Sequence, residues 1–187
     1  TSGIDITCFA GNNGEISVTA TGGTPGYSFN WFDNATLTNN IGTGNNITNL
    51  NAGTYYVQVT DANGCAFNDN LTLLEPNEII VTTSSIDATC GQANGVISVS
   101  NTSGGSGVYI TEIWSDANGN PVGNSTAVSA GTYYVTVTDD NGCVGNGIAN
   151  VSDLSGPVGQ LDGSSDASCY GSCDGTADIV VGGGTPT

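Results

Sequence analysis

Apolar residues in this chain recur at every second position over short stretches, then give way to clusters of Gly, Asn and Ser. Ile16, Val18 and Ala20 alternate with polar neighbours, as do Tyr27, Phe29 and Trp31, and again Tyr55, Val57 and Val59. A period of two puts each trio on one face of a strand, and the Gly and Asn clusters mark the turns between strands. The pattern predicts strands over 3–7, 15–21, 27–32, 46–50, 54–60 and 66–74. No stretch carries a helical period with caps. Six or seven such strands within about 80 residues predict a β-sandwich.

The pattern also repeats. Ala52–Cys65 reads Ala-Gly-Thr-Tyr-Tyr-Val-Gln-Val-Thr-Asp-Ala-Asn-Gly-Cys and returns, with two changes, as Ala130–Cys143. A second phrase, Cys8–Pro25, returns as Cys169–Pro186, and Cys90–Val99 is a looser copy between them. Self-similarity at a period of about 80 residues signals an array of small domains. The expected organisation is one sandwich over 1–76 with a truncated start, a second over 77–157, and the opening strands of a third over 158–187. Both ends fall inside the repeat pattern, so the chain reads as a window from something longer.

Two details narrow the sandwich to an immunoglobulin-like one. Trp31 and Trp114 each sit mid-unit on an alternating strand, where such a sandwich places its core tryptophan. Tyr55 and Tyr133 follow a Gly corner and enter the next strand, the position of a tyrosine corner whose hydroxyl bonds back to upstream backbone. Their apolar neighbours on the same face favour core over an exposed binding stripe. The fold expected is all-β: tandem immunoglobulin-like β-sandwich domains, each stapled by one disulfide, in an extended array.

Charge changes the picture of partners. There are 17 acidic residues and no Lys, Arg or His, for a formal charge of −17. Phosphate backbones and anionic lipid heads would be repelled, so neither nucleic acid nor membrane insertion is expected. Crowded carboxylates without cationic partners are expected to titrate higher in the folded state, so that mild acidification stabilises. The turns Asp61–Gly64 and Asp139–Gly142 read as tight hairpins, with Asn-Gly supplying positive φ. Asp-x-Asn-Gly also resembles the start of a calcium loop, which makes Asp61, Asn63, Asp139 and Asn141 calcium candidates. The remainder of that loop is missing, and Asp116–Gly119 repeats the pattern elsewhere in the unit. No other cofactor is expected.

Six cysteines in a strand-rich chain suggest disulfides and an oxidising compartment. Each full unit holds two, so the repeat proposes Cys8 with Cys65 and Cys90 with Cys143. With no His and no Cys-x-x-Cys pair, zinc is improbable. Cys169 matches Cys8, and Cys173 has no counterpart in the first unit; both are expected to pair beyond residue 187, with a local Cys169–Cys173 bridge as the alternative.

The run Cys-x-Gly-x-x-Asp/Asn-Gly, Gly-Gly-Thr-Pro, Tyr-x-Phe-x-Trp and Leu-x-Ala-Gly-Thr-Tyr-x-Val-x-Val-Thr-Asp-x-Asn-Gly-Cys resembles the SprB repeat family. The resemblance is best over 8–76, looser over 90–157, and visible again over 169–187. These repeats occur many times over in giant surface adhesins and other secreted proteins of Bacteroidota. The resemblance implies export by the type IX system, an extracellular or cell-surface location, and a role in adhesion, surface filaments or gliding. Implied partners are neighbouring repeats of the same chain, further copies in a filament, and surface polysaccharide. The alternative is a carbohydrate-binding module using Phe32, Phe67 or Tyr109. An enzyme is not expected: carboxylates, hydroxyls and thiols are the only reactive groups, and no acidic pair recurs as a site. Asn-x-Ser/Thr triplets at Asn34, Asn46, Asn70, Asn101, Asn124 and Asn150 arise readily in so Asn- and Thr-rich a chain.

Overall fold

The computed structural model describes residues 1–123, 127–154, 156–171 and 173–183, and among them all regular structure is strand. The chain divides into two compact units that interleave along the sequence. The first comprises Thr1–Ile80, Thr102–Glu112 and Val137–Gly145; the second comprises Val81–Asn101, Ile113–Thr136 and Asn146–Thr187. Consecutive units with limits at 76 and 157 were expected from the repeats.

The first unit contains a complete sandwich. Its strands are β1 (Ser2–Ile4), β2 (Gly14–Ser17), β3 (Ser28–Phe32), β4 (Asn40–Thr43), β5 (Asn46–Leu50), β6 (Gly53–Thr60) and β7 (Ala66–Leu73). One sheet runs β1-β2-β5 and the other β4-β3-β6-β7, antiparallel throughout. The chain changes sheet between β2 and β3, returns between β4 and β5, and changes again between β5 and β6. That three-on-four arrangement is immunoglobulin-like. Ile16 and Leu50 from one sheet meet Trp31, Tyr55, Val57 and Leu73 from the other, closed off by Ile6 and Val18. Trp31 is fully buried, and its indole N–H donates to the Gly44 carbonyl at 2.9 Å, so burying the ring leaves no orphan donor. Strand β4 was not anticipated. It is a short edge strand holding one apolar side chain, Ile41, so no alternation announces it.

The later strands are β8 (Ile80–Ile86), β9 (Ala88–Thr89), β10 (Val96–Ser103), β11 (Tyr109–Asp116), β12 (Pro121–Val122), β13 (Gly131–Asp139), β14 (Val144–Val151) and β15 (Asp153–Leu154). They form the sheets β10-β8 and β12-β11-β13-β14, with β15 pairing parallel to β9. In the second unit Trp114, Ile97, Val135 and Val151 are buried. Strand β14 alternates buried and exposed along its whole length. Its Gly147 faces the side chains of Val81, Thr83 and Val135, each 3.0 Å from where a Cβ would lie. A glycine here lets β8 and β13 close over β14.

The chain ends in a two-stranded antiparallel ribbon of β16 (Pro157–Ser165) and β17 (Thr176–Gly183), with a register shift between Leu161 and Gly163. Leu161, Ile179 and Val181 are exposed on it.

Candidate functional site

The repeated phrases build two kinds of local structure, and both recur with nearly the same bonds. The first is the Asp-x-Asn-Gly-Cys turn. Between β6 and β7, Asp61 Oδ1 accepts the backbone N–H of Asn63 (3.0 Å) and Cys65 (2.8 Å), and its Oδ2 accepts that of Thr24 (3.0 Å). Between β13 and β14, Asp139 Oδ1 accepts from Asn141 (3.0 Å) and Cys143 (2.8 Å), and its Oδ2 from Ser106 (2.9 Å). Short Asp side chains mimic a turn of backbone in this way. Gly142 takes the left-handed φ of 83° that closes the hairpin. Tyr109 donates its hydroxyl to the Gly104 carbonyl, as Tyr27 does to Gly22, so the Gly-Gly corner beside each turn is pinned alike.

The second is the loop that carries the first cysteine of each phrase. Asn13 Oδ1 accepts the Thr7 N–H at 3.0 Å, and its amide returns a bond to the Thr7 hydroxyl. Asn94 braces Thr89 in the same two-bond manner, and Asp174 accepts the Ser168 N–H. An acidic side chain holds the outside of each full copy: Glu75 accepts the Ala10 N–H and Asp153 accepts the Gly91 N–H.

These two structures meet covalently. Cys8 is bonded to Cys143, with Cα atoms 5.5 Å apart and a separation of 135 positions in sequence. The pairing expected from the repeats, Cys8 with Cys65 and Cys90 with Cys143, is therefore corrected: the first-phrase cysteine of copy one joins the turn cysteine of copy two. Cys65 and Cys90 are both exposed and outside that bridge. The reason is spatial: the Cys8 loop, Asn77–Ile79 and the Cys143 turn all belong to the first compact unit. The segment linking the two copies, Asn77–Ile79, packs beside the Cys143 turn: a Cβ on Gly104 would fall 1.9 Å from the Glu78 carbonyl oxygen, and one on Gly105 2.8 Å from the Ile79 side chain. The Cys8 loop and this segment together line a cleft of about 260 Å³ with Gly105, Cys143 and Val144. Cys169 and Cys173 are exposed, and the pairing expected for them falls outside residues 1–187.

The remaining candidate residues are placed as follows. Tyr55 and Tyr133 are buried, and each hydroxyl donates to the carbonyl four residues upstream, Asn51 at 3.0 Å and Ser129 at 2.8 Å. Burial pushes the Tyr55 hydroxyl above its ordinary value, against the pull of the Asn51 bond. The carboxylates of the calcium candidates Asp61 and Asp139 are occupied by backbone donors, and among the described residues no cluster of metal-ligating side chains forms. Of the aromatics considered for carbohydrate, Phe32 is buried, while Tyr109 is half-buried with its hydroxyl engaged. Phe67 is exposed and lines an open cleft of about 330 Å³ with Gly22, Gly23, Tyr27, Asp61 and Cys65.

At four carboxylates hydrogen bonding sets the titration, in the direction opposite to that expected from mutual repulsion. The Thr24 and Cys65 N–H groups hold the Asp61 carboxyl below the ordinary carboxylate value. Asn120, through side chain and backbone, lowers Asp116, and the Asn70 N–H lowers Asp69. Burial alone would raise Asp139, but the N–H groups of Ser106, Cys143 and Asn141 outweigh it and bring it down. Mutual repulsion acts across solvent over many ångströms, whereas these donors touch the carboxylate, so the local bonds win.

The family model of the SprB repeat matches residues 4–36, and the resemblance read from the sequence holds over that stretch. No curated protein matches the chain. Among solved structures, the amphioxus IgVJ-C2 molecule is similar at 15% identity and a TM-score of 0.31, over 76% of this chain and 97% of that one. Among the described residues no helix is long and apolar enough to cross a membrane.

Proposed function

We propose that this chain is a force-bearing repeat segment of a secreted cell-surface protein, serving adhesion or gliding by reach and display. The observation that carries the reading is the Cys8–Cys143 bridge, which ties one copy of the repeat to the next. A staple within one copy would strengthen that copy alone. Cys8 and Cys143 lie in one compact unit that takes in parts of both sequence copies, so this staple also fastens the second copy's turn to the first copy. The SprB match supports a surface setting, and the lack of Lys, Arg and His fits an acidic, soluble, non-catalytic spacer. The residues that recur are those that fold the sandwich and close its ends.

Single-molecule stretching of the full chain held by its two ends tests the reading. Under oxidising conditions the chain between Cys8 and Cys143 stays locked, so full unfolding releases less length than after reduction, by about 3.4 Å for each locked residue. Equal release in the two states would contradict a force-bearing join. Adhesion itself is read by coating beads with the chain and measuring their retention on polysaccharide-bearing surfaces; retention no better than uncoated beads would remove adhesion and leave a spacer.

A further inference from the structure

The cleft around Cys65 and the seat around Cys143 are built from matching parts. Asp61 and Asp139 hold their turns with the same three backbone donors, Gly22–Gly23 matches Gly104–Gly105, and Tyr27 matches Tyr109 in its bond to that corner. At Cys143 the seat holds the Cys8 loop and the segment Asn77–Ile79. At Cys65 the same geometry opens as the 330 Å³ cleft. A Cβ on Gly22 would meet nothing within 4 Å, whereas one on its counterpart Gly104 would strike the Glu78 backbone. Phe67 stands exposed beside this cleft, where β14 has Gly145 against the Ile79 side chain.

We propose that the cleft around Cys65 is a socket for the cysteine loop of another repeat of this kind, and that Cys65 closes a disulfide with the first cysteine of that loop. Two things carry this beyond an exposed thiol: the matching cysteine is bonded in the same molecule, and the surface around Cys65 repeats the Asp turn and the Gly-Gly corner of that bonded seat and stands open beside them. Phe67 stands where Gly145 meets Ile79, so the segment leading from the incoming loop passes this position farther out and packs on the exposed ring. The loop offered is the one seen at Cys8 and, in related form, at Cys90, where an Asn braces the preceding Thr. Closure takes one thiol from each repeat. Their two protons and two electrons pass to one molecule of oxidised glutathione, which leaves as two molecules of reduced glutathione. Repeats joined so, first cysteine to the turn cysteine of the next copy, would form a covalent ladder along an array. The inference rests on the geometry of the two seats and not on the adhesive reading.

The test extends the whole chain by a second copy of residues 1–82 placed ahead of Thr1, because Ile86-Asp87 corresponds to Ile4-Asp5; the added copy carries C65S, so that Cys65 occurs once, and T7S, so that its Cys8 peptide differs in mass. The protein is equilibrated with reduced and oxidised glutathione, its remaining thiols are alkylated, and it is cut with pepsin at acid pH for mass mapping. Trypsin has no site here. In material whose original Cys8–Cys143 bridge is closed, the expected product links the added Cys8 to Cys65, and alkylation of Cys65 falls at least tenfold relative to the unextended chain. Placing C65S in the original copy as well should leave the added Cys8 alkylated. The unextended chain, treated alike, separates the sources of the loop: a Cys65 bond to Cys90 or Cys169 of another molecule makes a second copy the partner. A Cys65 that stays alkylated in both proteins, or that pairs with Cys65 of another molecule, overturns the proposal.

Discussion

A carboxylate that accepts three backbone N–H bonds replaces several turn residues at once, and Asp139 does so while wholly buried. Removing it strands three donors in a place water reaches poorly. Asp139→Ala should therefore destabilise by about 1–3 kcal/mol, the cost of leaving buried donors unsatisfied. Differential scanning calorimetry would show it; an unchanged melting temperature would mean that water replaces the carboxylate. Asp61 makes the same bonds at an exposed turn, so Asp61→Ala should cost less. Tyr55→Phe keeps the buried ring and deletes only the hydroxyl that bonds Asn51. It should cost about 1 kcal/mol, a single hydrogen bond's net worth. A Tyr55→Phe protein as stable as the parent would show that ring packing alone holds the corner.

At the scale of elements, strands whose side chains alternate were legible in the sequence, and those without alternation were not. The span of β6 follows directly from the pattern, because Tyr55 and Val57 are buried in the core while the residues between and beside them are not. Strand β4 escaped notice since an edge strand can be polar on both faces and still gain its backbone bonds from β3. The core follows the same logic. Trp31 fills the space between the two sheets, so Trp31→Ala should cost about 3–5 kcal/mol in lost burial and residual cavity. Gly147 marks the opposite limit. Its Cβ position lies 3.0 Å from three side chains, so Gly147→Val should overpack the second unit by about 1–3 kcal/mol. Denaturant titration of both variants separates the two, because only the Trp31 change removes the indole signal of the first unit. The site was legible in its parts: both phrases, their turns and their cysteines stand out as repeats. Which cysteine meets which was not, because comparing copies pairs what lies inside a copy, while Cys8 and Cys143, from different copies, fall within one compact unit.

Across the whole molecule, the response to acid decides between two opposed electrostatic pictures. A chain of charge −17 with no basic side chain should, by repulsion alone, gain stability as protons neutralise it. The hydrogen bonds argue the other way. Asp61, Asp69, Asp116 and Asp139 all sit below the ordinary carboxylate value in the folded state. In the unfolded chain they return to about 3.9. A carboxyl lowered on folding contributes stability that is complete above the unfolded value and is lost as pH falls through the folded one. Stability from these four groups is therefore level from neutrality to about pH 5, begins to fall near pH 4, and continues falling below it. Melting temperature measured at steps from pH 7 to pH 3 should trace that curve. A melting temperature that climbs steadily from pH 7 to pH 4.5 would mean that repulsion outweighs the local hydrogen bonds. Asp139→Ala adds the deciding control: it should lower the neutral plateau and flatten the acid limb together, because one carboxylate supplies part of both.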